Sequence, residues 1–167
     1  MDSFACHHKD QPFNVVILGA GYDTRFYRLQ SIMNKENVKL YEVDASGSQF
    51  NKRNALNKAK VDSSHVAFLP CDFETEDWMD TLQSNSDFDK SLPSLFVWEG
   101  VTMYLDREKV VVTVVKIRMC GKGSCIAFDY FDESCFNSTV RKRTKMIGEP
   151  RKFDGMNSVD TFIRDCN

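Results

Sequence analysis

Nothing in this 167-residue chain is apolar over the roughly 18 residues that a membrane-spanning helix requires. The amino terminus, Met1-Asp-Ser-Phe-Ala-Cys-His-His-Lys9, has no apolar core of signal-peptide length. Charge is nearly balanced: 22 Lys and Arg stand against 24 Asp and Glu, a net charge of -2 at pH 7. A chain without a global basic field has no generic hold on nucleic acid or on an anionic membrane. The six cysteines form no C-x-x-C pair and lack the cysteine and histidine spacing of a zinc site, so reduced thiols and no metal are expected. Cys6-His7-His8 carries metal-ligand atoms without a second ligand pair and reads as part of a frayed tail. Repeats and low-complexity blocks are missing too. With 42% hydrophobic and 28% charged residues, what remains is one cytoplasmic globular domain with a real core.

What is present begins with Val15-Val-Ile-Leu-Gly19-Ala-Gly21-Tyr-Asp-Thr-Arg25. Asn14 to Leu18 is a short β-branched run ending at glycine, which suits a central parallel strand buried on both faces. Further strands are expected at Lys39 to Val43, Val66 to Pro70, Leu95 to Trp98 and Ser124 to Phe128. A helix is expected to start near Thr24. A second spans Ser46 to Lys60, with Phe50, Leu56 and Ala59 available to cover the sheet, and a short one spans Trp78 to Gln83. Asp106 to Cys120 is rich in valine, which favours a strand by propensity, yet its ends have helix chemistry. Asp106 can cap it, Lys116 and Arg118 suit its last turn, and Gly121 stands where a left-handed terminator belongs. Strands alternating with helices imply the α/β class, a mostly parallel, Rossmann-like sheet with right-handed crossovers.

Ligands of such sheets bind beyond the carboxyl ends of the strands. The expected strand ends carry Gly19 and Gly21, Asp44, Asp72 and Glu99, so glycines and acids converge on one rim. Glycine permits left-handed backbone and close ligand approach, and an acid about twenty residues later can take ribose hydroxyls. Packing alone explains such a rim poorly, because an unpaired buried carboxylate is costly. Each residue also has a plainer reading: a tight turn for the glycines, a helix cap for Asp44, a loop acid for Asp72, and a pair with Arg25 for Glu99. Asp23 and Arg25 look like a pair that fixes the turn. Trp98, Met103 and Tyr104 read as packing, and Arg141-Lys142-Arg143 with Lys145 as a solvated helix face. Gly19-Ala-Gly21-Tyr-Asp-Thr24 has threonine where a nicotinamide dinucleotide motif wants its third glycine, and Gly121-Lys-Gly-Ser124 is no phosphate loop. S-adenosylmethionine fits the rim better.

Several segments together resemble the leucine carboxyl methyltransferase-like family of S-adenosylmethionine-dependent O-methyltransferases. They are Val16-Ile-Leu-Gly-Ala-Gly-Tyr-Asp-Thr-Arg25, Tyr41-Glu-Val-Asp-Ala45, Asp72-Phe73 with Trp78, Pro93 through Leu105, Phe128-Asp-Tyr130 and Gly148-Glu-Pro150. The resemblance implies that Gly19 and Gly21 line the cofactor's methionine portion, Asp44 holds the ribose, Asp72 and Phe73 meet the adenine, and Glu99 faces the ammonium end. It implies a small-molecule or protein acceptor offering a carboxylate or hydroxyl. A carboxylate acceptor is already a nucleophile at neutral pH, so no catalytic base is assigned. It also implies a domain short at both ends: residues 1–13 form only a tail before a core at 14–167, and the final strands are missing. An unpaired fifth strand would leave an edge open to self-association. The alternative is a catalytically silent binding module of the same fold.

Overall fold

The computed structural model describes residues 1–8, 10–29, 36–135, 138–146, 151–153, 155, 156, 158, 162, 164 and 166. Its elements run α1 (Asp2–His7), β1 (Phe13–Leu18), α2 (Arg25–Arg28), β2 (Val38–Asp44), α3 (Ser46–Lys58), β3 (Val66–Pro70), α4 (Trp78–Gln83), β4 (Ser94–Trp98), α5 (Arg107–Arg118), β5 (Cys125–Phe128) and α6 (Ser138–Met146). The five strands form one sheet in the order β3-β2-β1-β4-β5, and every pairing is parallel. The α/β expectation therefore holds.

All six residues of β1 are buried, as a strand covered on both faces requires. Alternation sends Val16 and Leu18 to one face, where Tyr41, Phe96, Trp98, Trp78, Leu82, Val110 and Ile117 join them. Phe13, Val15 and Ile17 point the other way, towards Phe26, Val38, Leu40, Leu95 and Val97. Register against β4 is held at the strand's start, where Asn14 Nδ2 donates to Ser94 Oγ and to the Asp89 carbonyl, each at 2.9 Å. The chain steps outward from β1 to β3 and returns to β4 on the other side of β1. The crevice past the ends of β1 and β4 is thus the topological switch point, where ligands of this architecture bind.

Four local expectations need correction. The amino terminus is not a frayed tail: α1 packs Phe4 edge-on against Phe13, with ring centroids 5.4 Å apart, and buries His8 beside it. In α3 the inward residues are Gln49, Lys52 and Leu56, whereas Phe50 is 67% exposed and Ala59 is exposed. The valine-rich segment is helical and buries Val110, Thr113 and Ile117, but the Asp106 side chain makes no capping bond. Gly121 is absent from the positive-φ residues. Its requirement is proximity, since a Cβ there would lie 2.1 Å from the Ser91 carbonyl oxygen and 2.5 Å from that of Leu92.

Among the described residues β5 pairs only with β4, so its outer side is the sheet edge. No helix of the described chain is long and apolar enough to cross a membrane. Gly148 to Pro150 lie outside the described residues, as does much of the segment from Ser158 to Cys166. Within that segment the amides of Phe162 and Cys166 donate to the Ser158 and Phe162 carbonyls, each at 3.2 Å, a helical spacing.

Candidate functional site

Because all strands are parallel, Gly19, Asp72 and Glu99 follow the ends of β1, β3 and β4 on the same side of the sheet on which Asp44 ends β2. The rim expected from the sequence is therefore present as one edge of the sheet. Gly19 and Gly21 adopt φ of +69° and +41°, the left-handed region that glycine enters most cheaply. They differ in surroundings: a Cβ on Gly19 would lie 2.2 Å from Val101 Cγ2, whereas one on Gly21 would meet no atom within 4 Å. The first glycine serves close packing, and the second faces the space of the crevice.

Asp44 is tied to that turn. Its Oδ2 accepts from the Gly21 amide and its Oδ1 from the Ala45 amide at 2.6 Å. Those donors are not the second or third amide of α3, so the helix-cap reading of Asp44 gives way to a bond between two strand tips. Asp23 closes the turn, with Oδ1 accepting from the Arg25 amide at 2.7 Å and Oδ2 lying 3.3 Å from Arg25 Nη1. Arg25 Nη2 reaches Glu99 Oε2 in a close ion pair, so Arg25 spans the switch point between β1 and β4. A cleft of about 420 Å³ sits there, lined by Gly19, Gly21, Tyr22, Arg28, Val97 and Glu99 among others.

Asp72 is exposed and holds its own turn, accepting from the Glu74 amide at 2.8 Å and the Thr75 hydroxyl at 2.9 Å. These donors lower its pKa below the usual carboxylate value. Phe73 lines a separate depression with Trp78, Leu105 and Lys109. The structure thus gathers Gly19, Gly21 and Glu99 on one cleft, joins Asp44 to it through Gly21, and leaves Asp72 and Phe73 further along the rim. Trp98 and Met103 are buried packing residues, as expected.

Sequence reasoning missed the groups that support these loops. Asp129 Oδ1, just past β5, accepts from the Gly100 amide at 2.9 Å and so steadies the Glu99 loop, where Gly100 has φ of +73°. An acid at a fifth strand's end was the signal. Lys109 Nζ donates to the carbonyls of Phe73, at 3.2 Å, and of Glu74. Beside the cleft, a wider depression of about 570 Å³ shares Arg25, Arg28, Val97 and Glu99 with it and adds Leu95 and Ala127 as an apolar floor. A more enclosed hollow of about 310 Å³ lies around the starts of β2 and β3, away from every strand tip named above.

The family model described as leucine carboxyl methyltransferase matches residues 2–117. The chain belongs to that family. The segments quoted between Val16 and Leu105 lie within the matched residues, whereas Phe128-Asp-Tyr130 and Gly148-Glu-Pro150 lie beyond them. YktD of Bacillus subtilis (strain 168), provisionally named as an S-adenosyl-L-methionine-dependent methyltransferase, is 33% identical over 147 residues, covering 82% of this chain and 47% of its own. A provisionally named S-adenosyl-L-methionine-dependent methyltransferase of Mycobacterium tuberculosis (strain ATCC 25618 / H37Rv), Rv1896c, is 29% identical over 128 residues, covering 75% of this chain and 41% of its own. The chain thus spans less than half the length of these curated relatives. Among solved structures, the S-adenosylmethionine-dependent methyltransferase SibL superposes with a TM-score of 0.57 at 11% identity, covering 96% of this chain and 45% of that one. Magnesium protoporphyrin IX methyltransferase from Synechocystis PCC 6803 gives 0.55 at 9% identity, covering 99% and 67%. At such identities the likeness is one of fold: this leucine carboxyl methyltransferase family member has the class I methyltransferase sheet.

Proposed function

We propose that this chain carries the S-adenosyl-L-methionine-binding core of a methyltransferase that delivers the methyl group to an oxygen, as a carboxylate or hydroxyl. The observation that carries the reading is the joined rim. A left-handed glycine turn opens on a cleft at the switch point, and its Gly21 amide is bonded to the acid of the next strand. A nucleoside needs that combination of backbone clearance and carboxylate.

In this reading Gly19 and Gly21 line the methionine portion, and open space beside Gly21 leaves room for it. Asp44 takes the ribose hydroxyls with the lone pairs that Gly21 and Ala45 leave open. Asp72 and Phe73 border the adenine, and Glu99 faces the ammonium group while sharing its charge with Arg25. When bound, the cofactor supplies a methyl group on a positively charged sulfur. The chain supplies alignment and exclusion of water. A carboxylate acceptor needs no base, and none is assigned. The depression floored by Leu95, Val97 and Ala127 is the acceptor's approach. The acceptor is a small molecule or a protein, and the edge of β5, which no strand covers among the described residues, offers a route to self-association. Six free thiols suit the reducing cytoplasm.

Titration calorimetry with S-adenosylhomocysteine tests the reading. Binding is expected, and Asp44→Ala should weaken it about tenfold or more, the loss of one or two charge-assisted hydrogen bonds. No heat from the folded chain, or unchanged affinity in Asp44→Ala, refutes it. Transfer of labelled methyl groups to a protein or small-molecule pool then separates an active enzyme from a silent binding module.

A further inference from the structure

Beneath the rim rather than on it lies a buried ion pair. Glu42 is 0% exposed and Lys52 is 3% exposed, and Glu42 Oε2 lies 2.7 Å from Lys52 Nζ. The Tyr27 hydroxyl donates to Glu42 Oε1 at 3.2 Å, and its ring centroid is 5.7 Å from the same ammonium. Removing two charges from water costs several kcal/mol per ion, and apolar side chains of similar volume often stabilise a core as well or better. Stability therefore gives a weak reason for this cluster, and geometry a better one.

Each member belongs to a different element around the cleft. Tyr27 is in α2, directly after the glycine turn; Glu42 is in β2, two residues before Asp44 and on the same face of the strand; Lys52 is in α3. One helical turn before Lys52, Gln49 is also buried, and its Nε2 donates to two backbone carbonyls, Glu42 and Leu69, each at 2.9 Å. These carbonyls belong to β2 and β3, just ahead of Asp44 and Asp72. Asp44 then continues the connection upward, through its carbonyl to the Cys71 amide at 2.9 Å and through its carboxylate to Gly21.

We propose that Tyr27, Glu42, Lys52 and Gln49 are positioning residues for the cofactor cleft: they tie α2, β2, α3 and β3 together so that Asp44 stays against the glycine turn. The inference rests on the cofactor reading above, and none of the four residues lines that cleft. The ion pair and the Gln49 fork act on separate contacts and converge on one strand end. Loosening either lets the tip of β2 move relative to β1 while the rest of the sheet keeps its pairing. The affected quantity is cofactor affinity.

The test compares Gln49→Met, which keeps length without donors, and Tyr27→Phe, which removes one hydroxyl, with the unaltered chain. Amide hydrogen exchange is measured on the ligand-free protein, and S-adenosylhomocysteine affinity separately. Gln49→Met should speed exchange at the Gly21 and Cys71 amides and weaken binding, each about tenfold, the equivalent of one or two net hydrogen bonds. Tyr27→Phe should do the same about threefold. Amides of Ile126 and Ala127 in β5 should change less than about twofold in both, because β5 lies beyond the network. Unchanged exchange at Gly21 and Cys71, or equal acceleration in β5, overturns the proposal, since the first denies the coupling and the second is general loosening. If the unaltered chain binds no S-adenosylhomocysteine, the cofactor reading fails by itself, while the exchange pattern still decides whether these residues position the rim.

Discussion

Alanine at position 19 and alanine at position 21 should damage this protein in different ways. Both residues hold left-handed backbone, at φ of +69° and +41°, which costs a residue with a Cβ about 1–2 kcal/mol. At Gly19 the added methyl would also lie 2.2 Å from Val101 Cγ2, and forcing extra volume into a packed site costs about 1–3 kcal/mol. Gly19→Ala should therefore destabilise by about 2–5 kcal/mol, and Gly21→Ala, whose methyl meets nothing within 4 Å, by about 1–2. For a chain of this size each kcal/mol lowers the melting midpoint by about 2–4 °C. Urea unfolding measures the difference directly. The double variant Gly19→Ala with Val101→Ala is the internal check, because it removes the obstructing methyl groups and should destabilise less than the sum of its two single changes. Binding should run in the opposite order. Gly21 lines the cleft, and its added methyl occupies open space, so Gly21→Ala should abolish S-adenosylhomocysteine binding at modest stability cost. Equal destabilisation by the two single variants, or strict additivity in the double variant, refutes this account of the turn.

Phe50→Ser should change stability by no more than about 0.5 kcal/mol in urea unfolding, as for an exposed site, while Leu56→Ala on the buried side of the same helix should cost about 2–4. The reverse order would restore the inward Phe50 expected from the sequence. Gly121→Ala should cost more than about 2 kcal/mol by the same assay, because the obstructing atoms are backbone carbonyl oxygens that cannot rotate away; a near-neutral result contradicts the close approach. His8 is 6% exposed, and burial, followed by the nearby His7, lowers its pKa. The folded state then binds the proton less tightly than the unfolded one, so stability is full above the ordinary histidine value of about 6.5 and falls as pH drops through it. Exchange at the His8 amide, which donates to the Phe4 carbonyl at 3.1 Å, should show more opening at pH 5.5 than at pH 7.5 after correction for intrinsic rates. Histidine replaced by glutamine should flatten the difference, and greater protection at the lower pH would reverse the sign of the argument.

The five strands were legible because each is a short apolar run stopped by glycine, proline or an acid; β1 and β4 are buried on both faces, as central parallel strands require, whereas β5 alternates exposed and half-buried residues. Asp106 to Cys120 was legible as a helix despite its valines, because basic residues crowd its last turn and tertiary packing overrides β propensity. The orientation of α3 was not legible. Its polar pattern has no clear apolar stripe, and two of its buried positions are taken by Gln49 and Lys52, whose partners are two strand carbonyls and a strand carboxylate. Polar residues read as solvent-facing until their partners are known. The amino-terminal helix was missed for a similar reason: Phe4 packs against His8 and, across a segment that carries no periodic pattern, against Phe13.

The sequence alone determined that this chain makes an α/β sheet with a glycine turn and acids at its strand ends, because backbone freedom and two-faced burial are properties of single residues and short runs. The sequence also offered Arg25 as a partner for Glu99, but only the tertiary structure decided which of those ends touch. Arg25 meets Glu99 across 74 positions of chain, and Gly21 meets Asp44 across 23, through the order β2-β1-β4. Such pairings depend on which strands become neighbours, and neighbours are chosen by the packing of the whole sheet rather than by any segment of it.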